Sequence, residues 1–449
     1  MVKRLLVSLF SLLMVVTMSG CGDDNNVFVK PAKVSVLHAS PDAPKVNILI
    51  DSDAALSGVD YAQGAALEDL KANFSYALAI EGILPGGATA TVIEPLYLTF
   101  NEGMRYAVIA TNDLANIEPL LVSAEDKVVD ADQVRVQVIH ATASAPTVDI
   151  YVTAPGEDIT TSSPLGTLSF KEDLAPVEVP AGDYQIRITA AGSKGVLFDS
   201  GSVALAGGSD LMIAAIENAG NNGIAPVQLA VLDGETSSLI VDTNTPASLR
   251  VIHNSPDAPA VDIVVDNNFA APLVTALAYP NFTPYVDVPE NTYNVKVAVS
   301  GTTTSVIDAD LTLLKATMSS VYAVNTVANI EPLILSDDNR KVVTEAKVRI
   351  LHGSPTAGNV DIYVTAPGAD IFTAVPAFTD IPFKAETGYV ALNEGDYQVR
   401  VTPTGSKTVV IDTGSLSLST GNVYTAIARD ATPSETPGTF GLILLDDFN

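Results

Sequence analysis

The hydrophobic and polar positions along this chain repeat in four copies. In each copy an apolar run ends in His, a turn containing Pro or Ala follows, and a second apolar run opens on Asp or Asn nine residues after the His. The copies span Val34–Asn47, Val136–Asp149, Leu249–Asp262 and Val348–Asp361. A repeat of this length indicates a tandem array of domains.

Short runs rich in Val, Ile, Tyr and Thr alternate with turn residues inside each copy, which predicts an all-β domain of about seven strands. Helical periodicity is present only weakly, around Ala65–Tyr76. In the second copy the predicted strands are Arg135–His140, Val148–Thr153, Ala175–Val179, Asp183–Thr189, Val196–Asp199, Leu211–Ile216 and Val227–Leu232.

The four His residues are 102, 113 and 99 positions apart, so each unit has the size of an immunoglobulin-like sandwich domain. We expect four tandem immunoglobulin-like or transthyretin-like β-sandwich domains. Linkers are short and lack Gly/Ser-rich tracts, which predicts a semi-rigid rod. The predicted domain boundaries are 32–130, 131–245, 246–344 and 345–449.

The units form two alternating subtypes. The second and fourth share Val-Asp-Ile-Tyr-Val-Thr-Ala-Pro-Gly at 148–156 and 360–368, whereas the first and third share Ala-Asn-Ile-Glu-Pro-Leu at 115–120 and 328–333. Duplication of a two-domain cassette explains this pattern. The first and third junctions should therefore share one geometry.

The N-terminus has the features of a bacterial lipoprotein signal peptide. Two basic residues precede the apolar stretch Leu5–Met18, and small residues lead to Cys21, the only cysteine. The Met-Ser-Gly-Cys run resembles a lipobox, which implies a signal peptide at 1–20, lipidation of Cys21 and a flexible tether at 21–31. Gly22 after the cysteine implies outer-membrane delivery, with the protein facing the periplasm or the cell surface.

Charge excludes one class of partner. The 449 residues include 23 Lys and Arg against 52 Asp and Glu, a net charge of −29. Nucleic acids are bound through Lys and Arg that neutralise phosphates, so we expect no nucleic-acid partner. The expected partners are the membrane, through the lipid anchor, and a protein or polysaccharide that the sequence does not identify.

The repeated turn is the main candidate for chemistry. A His and an Asp across a turn, with Ser40, Ser255 or Ser354 two residues after the His, suggest a nucleophilic arrangement. The set is incomplete in two copies, and no Gly-x-Ser-x-Gly elbow accompanies it. We therefore expect a structural turn and no catalytic residues, with ligand contact and catalysis as alternatives. The residues concerned are His38, Asn47, His140, Asp149, His253, Asp262, His352 and Asp361.

Cofactor signals are weak. One His per domain cannot complete a zinc site, and phosphate-cradling and dinucleotide motifs are absent from the sequence. We predict no metal site and no cofactor. Calcium stays open as an alternative because of the acidic pairs at 130/132, 308/310 and 337/338. A saccharide platform would have to use repeated tyrosines, since Trp is absent; these are Tyr151, Tyr184, Tyr363 and Tyr397.

The His-x-Ser-Pro-Asp-Ala-Pro-x-Val-Asp motif resembles a bacterial family known only as domain of unknown function 4397. The resemblance covers roughly residues 32–449 and is strongest at Ser40–Pro44 and Ser255–Pro259. The second unit departs from the motif at Ala143 and Ser144, and the fourth at Thr356 and Gly358. The resemblance implies secreted or envelope-attached β-sandwich modules.

These observations favour a non-catalytic cell-envelope lipoprotein, a rod of modules for adhesion, envelope or matrix scaffolding, or ligand binding. One alternative is a periplasmic subunit of an export or polysaccharide apparatus. Another is a hydrolase that uses the repeated His/Asp turns.

Overall fold

The structure is a computed structural model that describes residues 31–68, 70–220 and 224–447. These residues form β-strands and two short 3-10 helices, Leu114–Asn116 and Val327–Asn329. The all-β expectation of repeated sandwich domains is confirmed. The predicted signal peptide, Cys21 and nearly all of the tether lie outside the described residues.

Each copy of the repeat forms one unit of two sheets. The first unit contains β1 (Lys33–His38), β2 (Val46–Ile50), β3 (Asp53–Val59), β4 (Gly64–Leu67), β5 (Ser75–Ile83), β6 (Thr89–Thr99), β7 (Met104–Thr111) and β8 (Glu118–Glu125). The second contains β9 (Gln133–His140), β10 (Val148–Thr153), β11 (Gly166–Leu168), β12 (Val177–Pro180), β13 (Gly182–Ala190), β14 (Val196–Leu205), β15 (Asp210–Glu217), β16 (Val227–Leu232) and β17 (Ser237–Ile240).

The third and fourth units repeat this order. The third contains β18 (Ala247–Asn254), β19 (Val261–Val265), β20 (Val274–Leu277), β21 (Val286–Val288), β22 (Asn291–Val299), β23 (Ser305–Leu313), β24 (Met318–Val324) and β25 (Glu331–Ser336). The fourth contains β26 (Ala346–His352), β27 (Val360–Thr365), β28 (Phe378–Ile381), β29 (Val390–Leu392), β30 (Gly395–Pro403), β31 (Ile411–Asp412), β32 (Leu416–Leu418), β33 (Val423–Asp430) and β34 (Phe440–Asp447).

One sheet of each unit contains the strand that carries the motif His, and we call it the His sheet. The His sheets have the orders β4-β1-β7-β8, β12-β9-β15-β16-β17, β21-β18-β24-β25 and β29-β26-β33-β34. The other sheet contains the strand with the motif Asp or Asn, and we call it the Asp sheet. Its orders are β3-β2-β5-β6, β11-β10-β13-β14, β20-β19-β22-β23 and β28-β27-β30-β31, with β32 also paired to β30.

The second unit shows how far local patterning predicts strands. All seven strands predicted there are present, but the unit also contains the short strands β11 and β17. The weak helical expectation at Ala65–Tyr76 is wrong, since β4 ends at Leu67 and β5 begins at Ser75. Pairing of β4 with β1 decides the conformation there, because tertiary partners override weak local propensity.

The His sheets are buried on both faces. One face packs on the Asp sheet of its own unit, as Val34 and Val36 do in the first unit. The other face packs on the His sheet of the neighbouring unit, where Leu37 and Ile109 of the first unit meet Ile139 of the second. The third and fourth units share an equivalent core. Burial on both faces explains why every residue of β18 is buried.

The expected semi-rigid rod of four modules does not describe the packing of the units. The units pack in two face-to-face pairs, first with second and third with fourth, because each His sheet has a second apolar face to bury. The segment between the third and fourth units also contacts the first unit. Arg340 Nη1 donates to the Ala43 carbonyl at 2.8 Å, and Arg340 Nη2 contacts the Asp60 carboxylate at 2.6 Å.

Candidate functional site: the repeated histidine turn

Each motif His stands at or next to the end of the central strand of a His sheet. The residue opposite it on the parallel neighbour strand is Ala in all four units. A small residue there leaves space for the imidazole. Each His is at most 1% exposed, so the rings are enclosed by protein.

The ring nitrogens bind backbone groups of the turn. Nε2 lies 2.7–3.0 Å from the carbonyl oxygen six residues later in every unit. Nδ1 of His38, His253 and His352 accepts a hydrogen bond from the N–H two residues later, at 3.3–3.4 Å. Because Nδ1 accepts in these three units, Nε2 must carry the proton and donate it. The His therefore closes the turn at both of its nitrogens.

Burial favours the neutral form of three of these rings, those of His38, His253 and His352. It is the largest effect on His38, whose pKa is lowered to about 4, although the hydrogen bond to the Pro44 carbonyl opposes it. Burial likewise lowers the pKa of His253 and of His352. A general base must reach the proton that it removes, whereas these nitrogens already bind the protein backbone.

The motif Asp does not bind the His but joins the neighbouring edge strand of the Asp sheet to a loop. Asp262 accepts hydrogen bonds from the Ala276 N–H at 2.7 Å and the Gly301 N–H at 2.9 Å. These two bonds lower the pKa of Asp262. Asp361 binds the N–H groups of Asp380 and Gly405 in the same way, each at 2.9 Å.

The first two units use variants of this loop contact. Asp149 accepts from the Thr167 hydroxyl at 2.5 Å and from the Gly192 N–H at 2.8 Å. Asn47 accepts from the Gly58 N–H at 3.1 Å. The His and the Asp or Asn thus bind different parts of the sandwich, and the structure does not bring them together as a nucleophilic pair.

An aromatic ring lies edge-on to each His and extends the turn to the paired unit. The centroid distances are 6.0–6.4 Å, to Tyr61, Phe170, Tyr279 and Phe383 in chain order. The hydroxyls of Tyr61 and Tyr279 donate to carbonyl oxygens of the second and fourth units respectively. The residue type alone could not reveal this role, since the acceptors are more than 150 positions away.

A second contact runs in the opposite direction across each pair. Lys171, next to Phe170, pairs with Glu118 at 2.5 Å, and Lys384, next to Phe383, pairs with Glu331 at 2.9 Å. Both glutamates belong to the Ala-Asn-Ile-Glu-Pro-Leu segment shared by the first and third units. The two junctions therefore share this ion pair.

The match to a protein-family model agrees with the repeat. The sequence model described as "Domain of unknown function (DUF4397)" matches residues 32–151, 247–363 and 346–449, which is more than half of the chain. The chain belongs to the DUF4397 family. A search of the curated proteins finds no match. Among solved structures, the Bacillus anthracis TIE protein matches over 86% of this chain and 66% of its own, just under two thirds, at 11% identity and a TM-score of 0.17.

Among the DUF4397 units, the first and third have a Ser-Pro-Asp segment in the turn, and the Asp of this segment binds another part of its unit. Asp42 accepts from the Leu114 N–H and Asp257 from the Val327 N–H, both at 2.7 Å, at the start of the two 3-10 helices. These helices precede the strands that carry Glu118 and Glu331. The aspartate therefore positions the segment that binds the next unit, a role specific to the first and third units.

A buried ionic cluster lies between the third and fourth DUF4397 units. Arg250 pairs with Asp447, and Arg349 pairs with Asp337 at 2.5 Å. None of the four side chains is more than 5% exposed. Removing one partner of a buried pair typically costs about 3–5 kcal/mol, because the remaining charge is left buried without a partner. The sequence did not reveal it, because Arg250 and Asp447 are 197 positions apart.

The acidic pairs considered for calcium mainly bind other protein groups. Asp338 contacts Lys347 at 2.6 Å, Asp308 pairs with Lys296, and Asp310 accepts from Asn294 at 3.2 Å. Within the described ranges, no group of three or more His, Cys, Asp or Glu side chains is placed to hold a metal ion.

The repeated tyrosines are buried or half-buried and do not form an exposed platform. Tyr151 and Tyr363 are each 2% exposed, under Lys194 and Lys407. The Tyr184 and Tyr397 hydroxyls donate to carbonyl oxygens four residues earlier. In the part of the chain that the structure describes, no helix is long and apolar enough to cross a membrane.

Proposed function

We propose that this DUF4397 protein is a non-catalytic, lipid-anchored protein of the cell envelope. Its sandwich modules serve adhesion, envelope or matrix scaffolding, or ligand binding. It has no cofactor in this proposal. Cys21 carries the lipid, and residues 21–31 hold the modules away from the outer membrane.

One observation carries the non-catalytic part of the proposal. The four histidines are the residues most suited to acid–base catalysis at neutral pH, yet all four are buried and bound to backbone carbonyls. The side chains that recur in the repeat therefore close turns and join units. This use suits a protein that presents surfaces.

The packing of the units supports presentation of a stiff surface. Each pair shares a hydrophobic core as well as the Tyr and Lys contacts described above. Large apolar interfaces suppress the relative motion that is otherwise the default between domains.

The anchor is tested by Cys21→Ser. Metabolic labelling with a radioactive fatty acid should mark the wild type and not the variant, and the variant should leave the membrane fraction. Equal labelling of both forms, or membrane retention of the variant, would contradict the anchor.

Orientation is tested on intact cells with an added protease and a periplasmic protein as control. Degradation of the array would favour adhesion or matrix contact. Protection would place it in the periplasm and favour the alternative role as a subunit of an export or polysaccharide apparatus.

A fluorophosphonate probe tests the hydrolase alternative. We expect no labelling of the purified protein, because the Ser255 side chain is fully buried beside a His that already binds backbone. Labelling that disappears in Ser255→Ala would overturn the non-catalytic proposal.

A further inference from the structure

The last strand of the fourth unit is an open apolar edge. In the His sheet, β34 lies at one end of the order and pairs with β33 on one side. Its first six residues, 440–445, read Phe-Gly-Leu-Ile-Leu-Leu and carry no charge. An apolar edge strand offers unpaired backbone groups to another strand.

The second unit shows what such an edge can accept. There β17 pairs with β16, the strand equivalent to β34, so that Ser238 faces Val231 and Ile240 faces Leu229. Ile240 packs against the core of the unit. The same chain therefore contains an added strand at the equivalent position of another unit.

The exposed fraction of one equivalent side chain distinguishes the edge that is covered by a further strand from the edges that are open. In each His sheet, the strand that carries the Ala opposite the motif His pairs on its other side with β8, β16, β25 or β34. We compare the residue of that next strand which pairs with the position two residues before the Ala. In unit order these residues are Leu121, Val231, Ile334 and Leu444. Leu121, Ile334 and Leu444 are 43%, 46% and 52% exposed. Val231 lies beside β17 and is less exposed than these three residues: it is half-buried and packs on the core.

Among the open edges, β34 is the least protected. The strands β8 and β25 both begin with Glu-Pro, and Pro119 and Pro332 are part of their ladders. Proline on an edge strand withholds a donor and discourages further pairing. Residues 440–445 contain neither proline nor a charged residue.

A cavity of about 230 Å³ lies behind this edge, between the two sheets of the fourth unit. Its lining is almost entirely apolar and includes Leu416, Ala426 and Leu444. In the second unit Ile213 occupies the register of Ala426, and Ile186 that of Val399. Both isoleucines are buried in the core of that unit. The smaller side chains of the fourth unit leave room that those isoleucines fill.

The volume is sufficient for a large side chain. An apolar cavity of about 150 Å³ already accepts a molecule of the size of benzene. An incoming strand at the β34 edge would place one residue beside Leu444, at the opening of the cavity, as β17 places Ser238 beside Val231.

We propose that β34 binds an extended segment of another polypeptide as an additional strand, with a large apolar side chain inserted into the cavity beside Leu444. Backbone hydrogen bonds would provide general affinity, and the cavity would select the side chain. The net charge of −29 favours a segment poor in acidic residues. This inference deepens the proposed binding role but does not involve Cys21, so its failure would leave the anchoring test unaffected.

The test uses the full mature chain and two fluorescent peptides. One has the sequence of residues 236–241 of this protein, which contain no acidic residue, and the other carries Ser238→Leu, which places a large apolar side chain opposite Leu444. We expect the Leu peptide to bind at least about tenfold more tightly by fluorescence anisotropy, since burial of one Leu is sufficient for that factor. Its binding should slow hydrogen exchange of β34 amides.

Three variants locate the site. Ala426→Ile copies Ile213 and should remove the preference for the Leu peptide. Leu444→Lys, at a half-exposed position, should weaken both peptides at least about tenfold and does not depend on repacking the core. The matched control Leu121→Lys, on the first unit, should leave binding unchanged.

Equal binding of the two peptides, or insensitivity to both Ala426→Ile and Leu444→Lys, would overturn the proposal. It would also be overturned if the free protein were a dimer whose outward β34 amides were already protected. That result would mean that a second copy of the chain covers the edge.

Discussion

Acidification should weaken the first unit through His38. The imidazole is neutral in the folded protein, where its pKa is lowered to about 4, mainly by burial. In the unfolded chain the pKa is about 6.5. Below pH 6.5 the unfolded state therefore takes up a proton that the folded state takes up only near pH 4. Stability from this group is complete above pH 6.5 and is lost as the pH falls towards 4.

The size of the effect follows from these two pKa values. At about 1.4 kcal/mol per pH unit, the interval from pH 6.5 to pH 4 corresponds to a loss of about 3 kcal/mol at pH 4. His38 is only 1% exposed, so solvent screening does little to reduce this loss. A loss of this size is a large fraction of the total stability of a typical domain.

Two measurements check the prediction. The chain contains only four His residues, so their ring protons can be assigned by NMR with one replacement each and titrated separately. Hydrogen exchange of the β1 amides between pH 7 and pH 4, corrected for intrinsic rates, reports the local opening free energy. This local measure is preferable because a chain of several units need not unfold in one step.

His38→Gln is the matched control. The Gln amide can donate to the Pro44 carbonyl, as the imidazole does, but it does not titrate. Carboxylates contribute equally to both proteins, so the difference between their pH profiles isolates His38. Parallel profiles, or a His38 pKa at or above 6.5 by NMR, would refute the reasoning.

Three further predictions concern the Asp loops and the contacts between units. Asp262→Ala leaves two N–H groups without their acceptor and should destabilise the third unit by about 2 kcal/mol or more in urea unfolding, whereas Asp262→Asn should recover part of the loss. Lys384→Met should cost less than about 1 kcal/mol by thermal unfolding, because its pair with Glu331 is more than a third exposed; a larger loss would indicate a stronger junction. Arg340→Ala should increase the radius of gyration in small-angle X-ray scattering while the unfolding of single units is unchanged, and an unchanged radius would show that Arg340 does not hold the linker to the first unit.

In the second unit, the local pattern of apolar and polar residues predicted the longer strands but did not predict the two shortest ones. The predicted strand Val148–Thr153 coincides with β10 because its side chains alternate over six residues. The strands β11 and β17 have three and four residues, too few for a period to be recognised. They form because β10 and β16 supply their hydrogen-bond partners.

The candidate site was predicted in position and only partly in role. A structural turn was expected for His38 and its equivalents, and the binding of both ring nitrogens to backbone explains how the turn is closed. The partner of Asp262 was not predictable, since the Gly301 N–H comes from a loop 39 positions away. A side chain has no local signal for a partner at that separation.

The sequence by itself determined the four repeated units, their all-β character, their alternation in two subtypes and the motif positions, because repetition and strand periodicity are local properties of the chain. Only the tertiary structure decided that the His sheets pair face to face, that Glu118 and Glu331 bind the following unit, and that β34 remains an open edge. Those features depend on which surfaces meet after folding, and residues far apart in the chain meet only when burial of apolar faces brings them together.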